Sequence, residues 1–183
     1  MEAEQKMKKA ITACMISFIA ATIIGLVCIF LPVAMGKEGV IKETLKNLCM
    51  TIAGIDFFLM GIWVLRKKDT KKLAGIAIII FAVMAVIAGC WGVSSGVRGL
   101  LHDPIEVKNV TYEVWSKSSS HHGIRRVQYY MRVSDPVGVP RITIDKSTYD
   151  YLSVSHQNVS VTYYPYVNIA DEIIYESAAL QEE

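Results

Sequence analysis

Residues 10–35 read AITACMISFIAATIIGLVCIFLPVAM, twenty-six consecutive positions without a charged side chain, and residues 73–97 read LAGIAIIIFAVMAVIAGCWGVSSGV, also uncharged. No other feature limits the fold as strongly. A hydrocarbon layer of ~30 Å is crossed by ~20 helical residues, and a helix is favoured there because it satisfies its own backbone hydrogen bonds where water is absent. A third stretch, 48–65 (LCMTIAGIDFFLMGIWVL), reaches the lower end of the spanning range and carries one acid, Asp56. The expected membrane region is therefore 10–99, with three transmembrane helices at 10–35, 48–65 and 73–97 behind a short tail, 1–9. Lys6, Lys8 and Lys9 precede the first run as they would in a secretory signal, but signal cores are only ~7–15 residues, so a retained anchor is expected.

Orientation follows from the basic residues near the span ends, because short cationic loops stay in the cytoplasm. The tail and the segment 66–72 (RKKDTKK) hold eight bases, whereas the 36–47 connection holds Lys37, Lys42 and Lys46, with Arg98 beyond the third span. This predicts a cytoplasmic N-terminus and an extracytoplasmic domain at 104–183. Trp63 and Trp91 fall near span ends, where indoles prefer the headgroup level. Residues 96–183 carry eight bases and eleven acids, which argues against a nucleic-acid partner. All four cysteines, Cys14, Cys28, Cys49 and Cys90, lie within the spans, so neither a disulfide framework nor a thiolate metal site is expected outside the bilayer.

Within the third span, Ala82, Ala85, Gly89, Gly92, Gly96 and Gly99 recur at alternating spacings of three and four, a stripe that lets helix backbones approach closely. Its partner is either another helix of the same chain or a second copy, which makes a homo-oligomer through the third helix one expectation. Asp56 precedes Arg66 by ten positions, which places it ~15 Å along the helix, near mid-membrane. An ionisable group at that depth suggests a proton relay or ion site. No Lys, Arg or His lies in a span to pair with it. The plainer reading is a protonated acid hydrogen-bonded to a hydroxyl such as Ser17, Thr22 or Thr51.

After 100–104 the pattern changes to alternation. Residues 105–116 and 124–134, separated by the polar KSSSHHG, predict a hairpin. A turn is expected at 135–140, a third strand at 141–145, a helical turn over 146–154 opened by Ser147 or Thr148, and two further strands at 158–167 and 169–177. Three strands, a short helix and two strands suit a small all-β barrel of the OB or SH3 type, with an open antiparallel sheet as the alternative. The stretch from Ile142 to Ile174, with its helical turn at Ser147–Leu152 followed by Val159, Val161, Tyr163 and Pro165, resembles the C-terminal domain of small bacterial membrane proteins of uncharacterised function. Where those domains place a glycine, this chain has His156, Gln157 and Asn158. The resemblance implies an OB- or SH3-like fold and no catalytic residues.

All nine tyrosines lie in this domain. Strand alternation puts one of each adjacent pair in the core and its neighbour in solvent, so Tyr129, Tyr130, Tyr163, Tyr164 and Tyr166 form a candidate recognition face. His121 and His122 sit between SSS and Gly, with His102 and His156 elsewhere, and no acid stands at ligand spacing; neither a metal nor another cofactor is expected. The string 92–96 matches GxSxG, but a nucleophile elbow needs a strand-to-helix turn and this match lies in an apolar helix. Asn109-Val-Thr111 and Asn158-Val-Ser160 match the glycosylation pattern within predicted strands. The sequence thus favours a non-enzymatic, membrane-anchored binding or assembly module. The competing reading is an accessory subunit of a transport or channel complex that uses Asp56.

Overall fold

The computed structural model describes residues 2–31, 34–66, 72–121, 124–134, 141–155 and 157–175. The chain divides into two compact units, Met1–Leu31 with Glu43–Ser94, and Pro32–Lys42 with Ser95–Glu183.

The first unit is helical. It contains α1 (Glu2–Phe30) and most of α2 (Gly36–Arg66) and α3 (Lys72–Leu101). Among the described residues α2 and α3 are long and apolar enough to cross a membrane, and α1 contributes the shorter apolar stretch Thr12–Cys28. The helix ends differ from the expected span ends, while 48–65 and 73–97 lie within α2 and α3. Helix α1 ends at Phe30, and Pro32 disfavours helical geometry in Leu31 ahead of it; Ala34 and Met35 of the expected 10–35 span are not helical. Helix α2 begins at Gly36 rather than at Leu48. Its polar first part is supported by an ion pair between Lys46 and Glu43, one turn apart.

The packing of this unit places its most apolar side chains outside. The apolar windows of α2 and α3 are only 22% and 17% buried. Ile19 and Ile23 on α1, and Phe81, Met84, Ile87 and Trp91 on α3, are exposed. The buried positions are small or polar instead: Ala21, Cys28, Cys49, Gly54, Asp56, Gly61, Gly75, Ala82 and Gly89. A bundle in water has the reverse arrangement.

The second unit is built on a six-stranded mixed sheet in the order β1-β5-β6-β4-β3-β2. The strands are β1 (Ile105–Val110), β2 (Tyr112–His121), β3 (Ile124–Val133), β4 (Ile142–Ile144), β5 (Val159–Tyr164) and β6 (Ile169–Tyr175), with α4 (Lys146–Leu152) between β4 and β5. All neighbours are antiparallel except β4 and β6, which run parallel.

The expected single strand at 105–116 is two. Asn109 adopts φ 50°, the register shifts between Val107 and Val110, and the chain leaves β5 to pair with β3 after Thr111. Asparagine tolerates that left-handed geometry better than most residues, which is why a bulge can form here. The hairpin is β2–β3, and most of the expected KSSSHHG loop is strand up to His121; its tip and the expected 135–140 turn lie outside the described residues. Helix α4 is capped by Asp145, not by Ser147 or Thr148: the Asp145 carboxylate accepts from Thr148 N at 2.9 Å and from Ser147 Oγ at 2.6 Å.

The inward-facing side chains Met131, Val133, Ile142, Ile144, Val159 and Val161 join Leu152 of α4 in one core. A smaller cluster on the other face packs Val40, from the start of α2, against Tyr164 and Ile169. The β5–β6 turn closes through Asn168 at φ 54°, whose N–H donates to Tyr164 O at 2.8 Å.

Candidate functional site

The small-residue stripe of α3 packs against α2 of the same chain. A Cβ added at Gly89 would press on the α2 backbone, 2.9 Å from Thr51 N and 3.0 Å from Asn47 O, and one added at Gly92 would run into the Asn47 side chain. Ala82 is buried and faces Gly54, Ala85 is half-buried, and Gly96 is buried. The side chains that fill this seam are tied back to their own helix, Asn47 Nδ2 donating to Glu43 O and Thr51 Oγ1 to Asn47 O. The face proposed for homo-oligomer contact is thus occupied from within the chain at Gly89 and Gly92.

Asp56 is 6% exposed, and its Oδ2 has no hydrogen-bond partner among the described residues. Of the expected hydroxyl partners, Thr51 donates to Asn47 O, and Thr22 is exposed. Next to Asp56 on α2, Phe57 meets Phe18 of α1 edge-on, with ring centroids 4.8 Å apart.

The tyrosines are distributed differently from the alternation rule. Tyr129 and Tyr163 face the core, as expected for one member of each pair. Their neighbours point the other way but are also covered, Tyr130 and Tyr164 being 5% and 1% exposed. Tyr164 lies under Val40 and beside Asp171, and burial, with the nearby carboxylate, raises its hydroxyl above the ordinary value of 10.0. Only Tyr166 of the five is exposed, and its ring meets that of His102 at 4.9 Å, tilted by 56°.

What the outer face of β2, β3 and β4 presents instead is a set of cross-strand rows. Trp115, Tyr130 and Thr143 stand side by side in register, and Glu113 lies opposite Arg132. The Trp115 and Tyr130 rings are 5.8 Å apart. The Arg132 guanidinium carbon lies 5.9 Å from the Trp115 centroid, and that of Arg141 lies 4.3 Å from the Tyr130 centroid. Tyr130 donates from its hydroxyl to Gln128 Oε1 at 2.8 Å. Sequence reading missed this arrangement, although Trp115 and Tyr130 at matching strand parity were its available signal.

Among the described residues no group of three or more His, Cys, Asp or Glu side chains converges to hold a metal ion, and the cysteines are free. His122, His156 and the His121 side chain lie outside the described residues. The GxSxG string is inside α3. Asn158 Nδ2 donates to Asn109 Oδ1 at 2.6 Å, so the two asparagines of the glycosylation patterns bond to each other. Comparison with protein families, curated proteins and solved structures gives no match.

Proposed function

We propose that the chain is a membrane-anchored module without catalytic activity of its own, whose β domain binds a partner in the cell envelope or helps to assemble a larger membrane complex. Three helices, α1 included, cross the bilayer. The N-terminus is cytoplasmic, and residues 104–183 lie outside. The observation that carries this reading is the inverted polarity of the helical unit, where Asp56, Cys49 and the glycines are inside while Ile, Phe, Met and Trp side chains face out. Such a surface suits lipid better than water. Orientation is supported by the excess of Lys and Arg in the tail and in 66–72.

The β domain is proposed to close as an OB-like barrel. Strands β1 and β2 stand at opposite ends of the strand order, yet Thr111 alone separates them in the chain. If they form one bent strand, the order, the parallel β4–β6 pair and the helix before β5 suit a five-stranded Greek-key barrel. This is in keeping with the resemblance of 142–174 to domains of small bacterial membrane proteins.

Alkaline washing of membranes followed by purification in mild detergent tests the reading. The chain should stay in the membrane pellet and co-purify with envelope components. Release by the wash overturns it. The second reading, an accessory subunit of a transport or channel complex, is favoured by the buried Oδ2 of Asp56, which has no hydrogen-bond partner among the described residues. It predicts stable co-purification with a transporter.

A further inference from the structure

We propose that the outer face of β2–β3–β4 is a binding site for an acidic glycan, with Arg132 and Arg141 gripping its carboxylate or phosphate groups and Trp115 stacking on a sugar ring. This deepens the binding-module reading and rests on it. The β3–β4 ladder pairs Tyr130 with Thr143 and Met131 with Ile142, so the next step in register sets Arg132 opposite Arg141. Like charges directly across a ladder repel. Glu113 is the register partner of Arg132, but neither arginine has an ion-pair partner among the described residues. Each guanidinium instead lies over an aromatic ring, Arg132 toward Trp115 and Arg141 on Tyr130. Stacking of this kind fixes the planar fork while leaving its N–H groups for an incoming anion, which an arginine pair can take bidentately.

The face is basic within an acidic domain. Lys117, Arg132 and Arg141 are all exposed, with Glu113 the acid beside them. An open depression lies over Glu113, Val114, Trp115 and Arg132, where the Trp115 ring is half-buried. Aromatic faces suit the C–H faces of sugar rings, while Glu113 and Thr143 offer acceptors and a donor for hydroxyls.

The test uses the full chain in nanodiscs of neutral lipid, titrated with oligogalacturonate of defined length, with dextran of matched size, and with phosphatidylglycerol vesicles. Saturable binding of oligogalacturonate, absent for dextran and weakened by salt, is expected. Each arginine contributes a charge-assisted contact, so Arg132→Gln and Arg141→Gln should each weaken binding about tenfold. Lysine at both positions, which keeps the charge without the fork, should restore only part of the affinity and serves if the glutamine variants fail to fold. Equal binding of dextran, wild-type affinity in the glutamine or lysine pair, or binding of vesicles alone each overturns the proposal. The alkaline wash and co-purification are independent of these residues. Loss of glycan binding in a chain that remains membrane-embedded and partner-bound therefore defeats this inference and leaves the module reading standing.

Discussion

Replacing Gly89 by alanine should destabilise the helical unit, while the same replacement at Gly25 should not. At Gly89 the new Cβ would stand 2.9 Å from Thr51 N and 3.0 Å from Asn47 O, both backbone atoms of α2. Comfortable carbon contacts lie at ~3.5–4.0 Å, so α2 and α3 would have to part by roughly 0.5–1 Å, a gap that forfeits a quarter to a half of each neighbouring contact. Overpacking of this sort costs ~1–3 kcal/mol, and the better helix propensity of alanine returns at most ~1 kcal/mol. The net loss is expected at about 1–2 kcal/mol. At Gly25 the nearest atom is Cys49 Cβ at 3.5 Å, an ordinary contact, so Gly25→Ala should cost nothing measurable. Gly92→Ala should fall between them, because its obstacle is the Asn47 side chain rather than backbone, and Asn47→Ala should relieve it. The assay is reversible unfolding in mixed micelles of rising dodecyl sulfate fraction, followed by helical circular dichroism. Wild-type stability in Gly89→Ala, or an equal loss in Gly25→Ala, would refute the idea that α3 packs through its stripe onto α2.

Other expectations follow from single sites. Asp56→Asn should insert and unfold like the wild type, and Asp56→Ala should cost modestly more, since polar contacts in membranes average ~0.6 kcal/mol; loss of cellular activity in a well-folded Asp56→Asn chain would favour the transport-subunit reading. Partial burial raises the Asp145 carboxyl, but hydrogen bonds from Ser147 and Thr148 outweigh it and hold the group below its ordinary 3.8. With its folded value depressed, Asp145 stabilises the domain above the ordinary value, and this contribution fades as pH falls through the folded one. Asp145→Asn, which still caps α4, should therefore remove a stability loss below about pH 4 in thermal melts, whereas Asp145→Ala should cost ~0.5–2 kcal/mol at neutral pH. Asn168 combines φ 54° with a buried Oδ1 that lacks a hydrogen-bond partner among the described residues, so Asn168→Gly should be neutral or stabilising and Asn168→Val should lower the melting temperature.

Much of the architecture was legible because two periodicities are plain: uncharged runs for α1 and α3, and alternation for β2 to β6. The failures have local causes. In 105–116 the apolar spacing slips at Val107 to Val110, with an asparagine between them, which is the mark of a bulge inside what otherwise reads as one strand. The outer part of the β2–β3 hairpin carried no apolar signal because Ser116–Ser120 are exposed on both faces. The polar start of α2 has no membrane signature, and what it buries, Val40 against Tyr164 and Ile169, joins residues more than a hundred positions apart. The same contact covers a tyrosine that alternation assigned to solvent. The stripe on α3 was evident, but its partner on α2 was not, because Asn47 and Thr51 do not resemble packing residues until the helices are paired. For Asp56, the position along the apolar run was readable, and the lack of a hydrogen-bond partner for its Oδ2 among the described residues was not.

The central claim is that the β domain stands outside the membrane on helices anchored from the cytoplasmic side. It is tested most directly in intact cells with a membrane-impermeant thiol reagent, using a background in which Cys14, Cys28, Cys49 and Cys90 are replaced by alanine. Ser119→Cys, exposed on β2, should be labelled without permeabilisation. Asp69→Cys, in the basic segment between α2 and α3, should be labelled only after the membrane is opened. Labelling of position 69 but not 119 in intact cells would place the β domain in the cytoplasm and contradict the account.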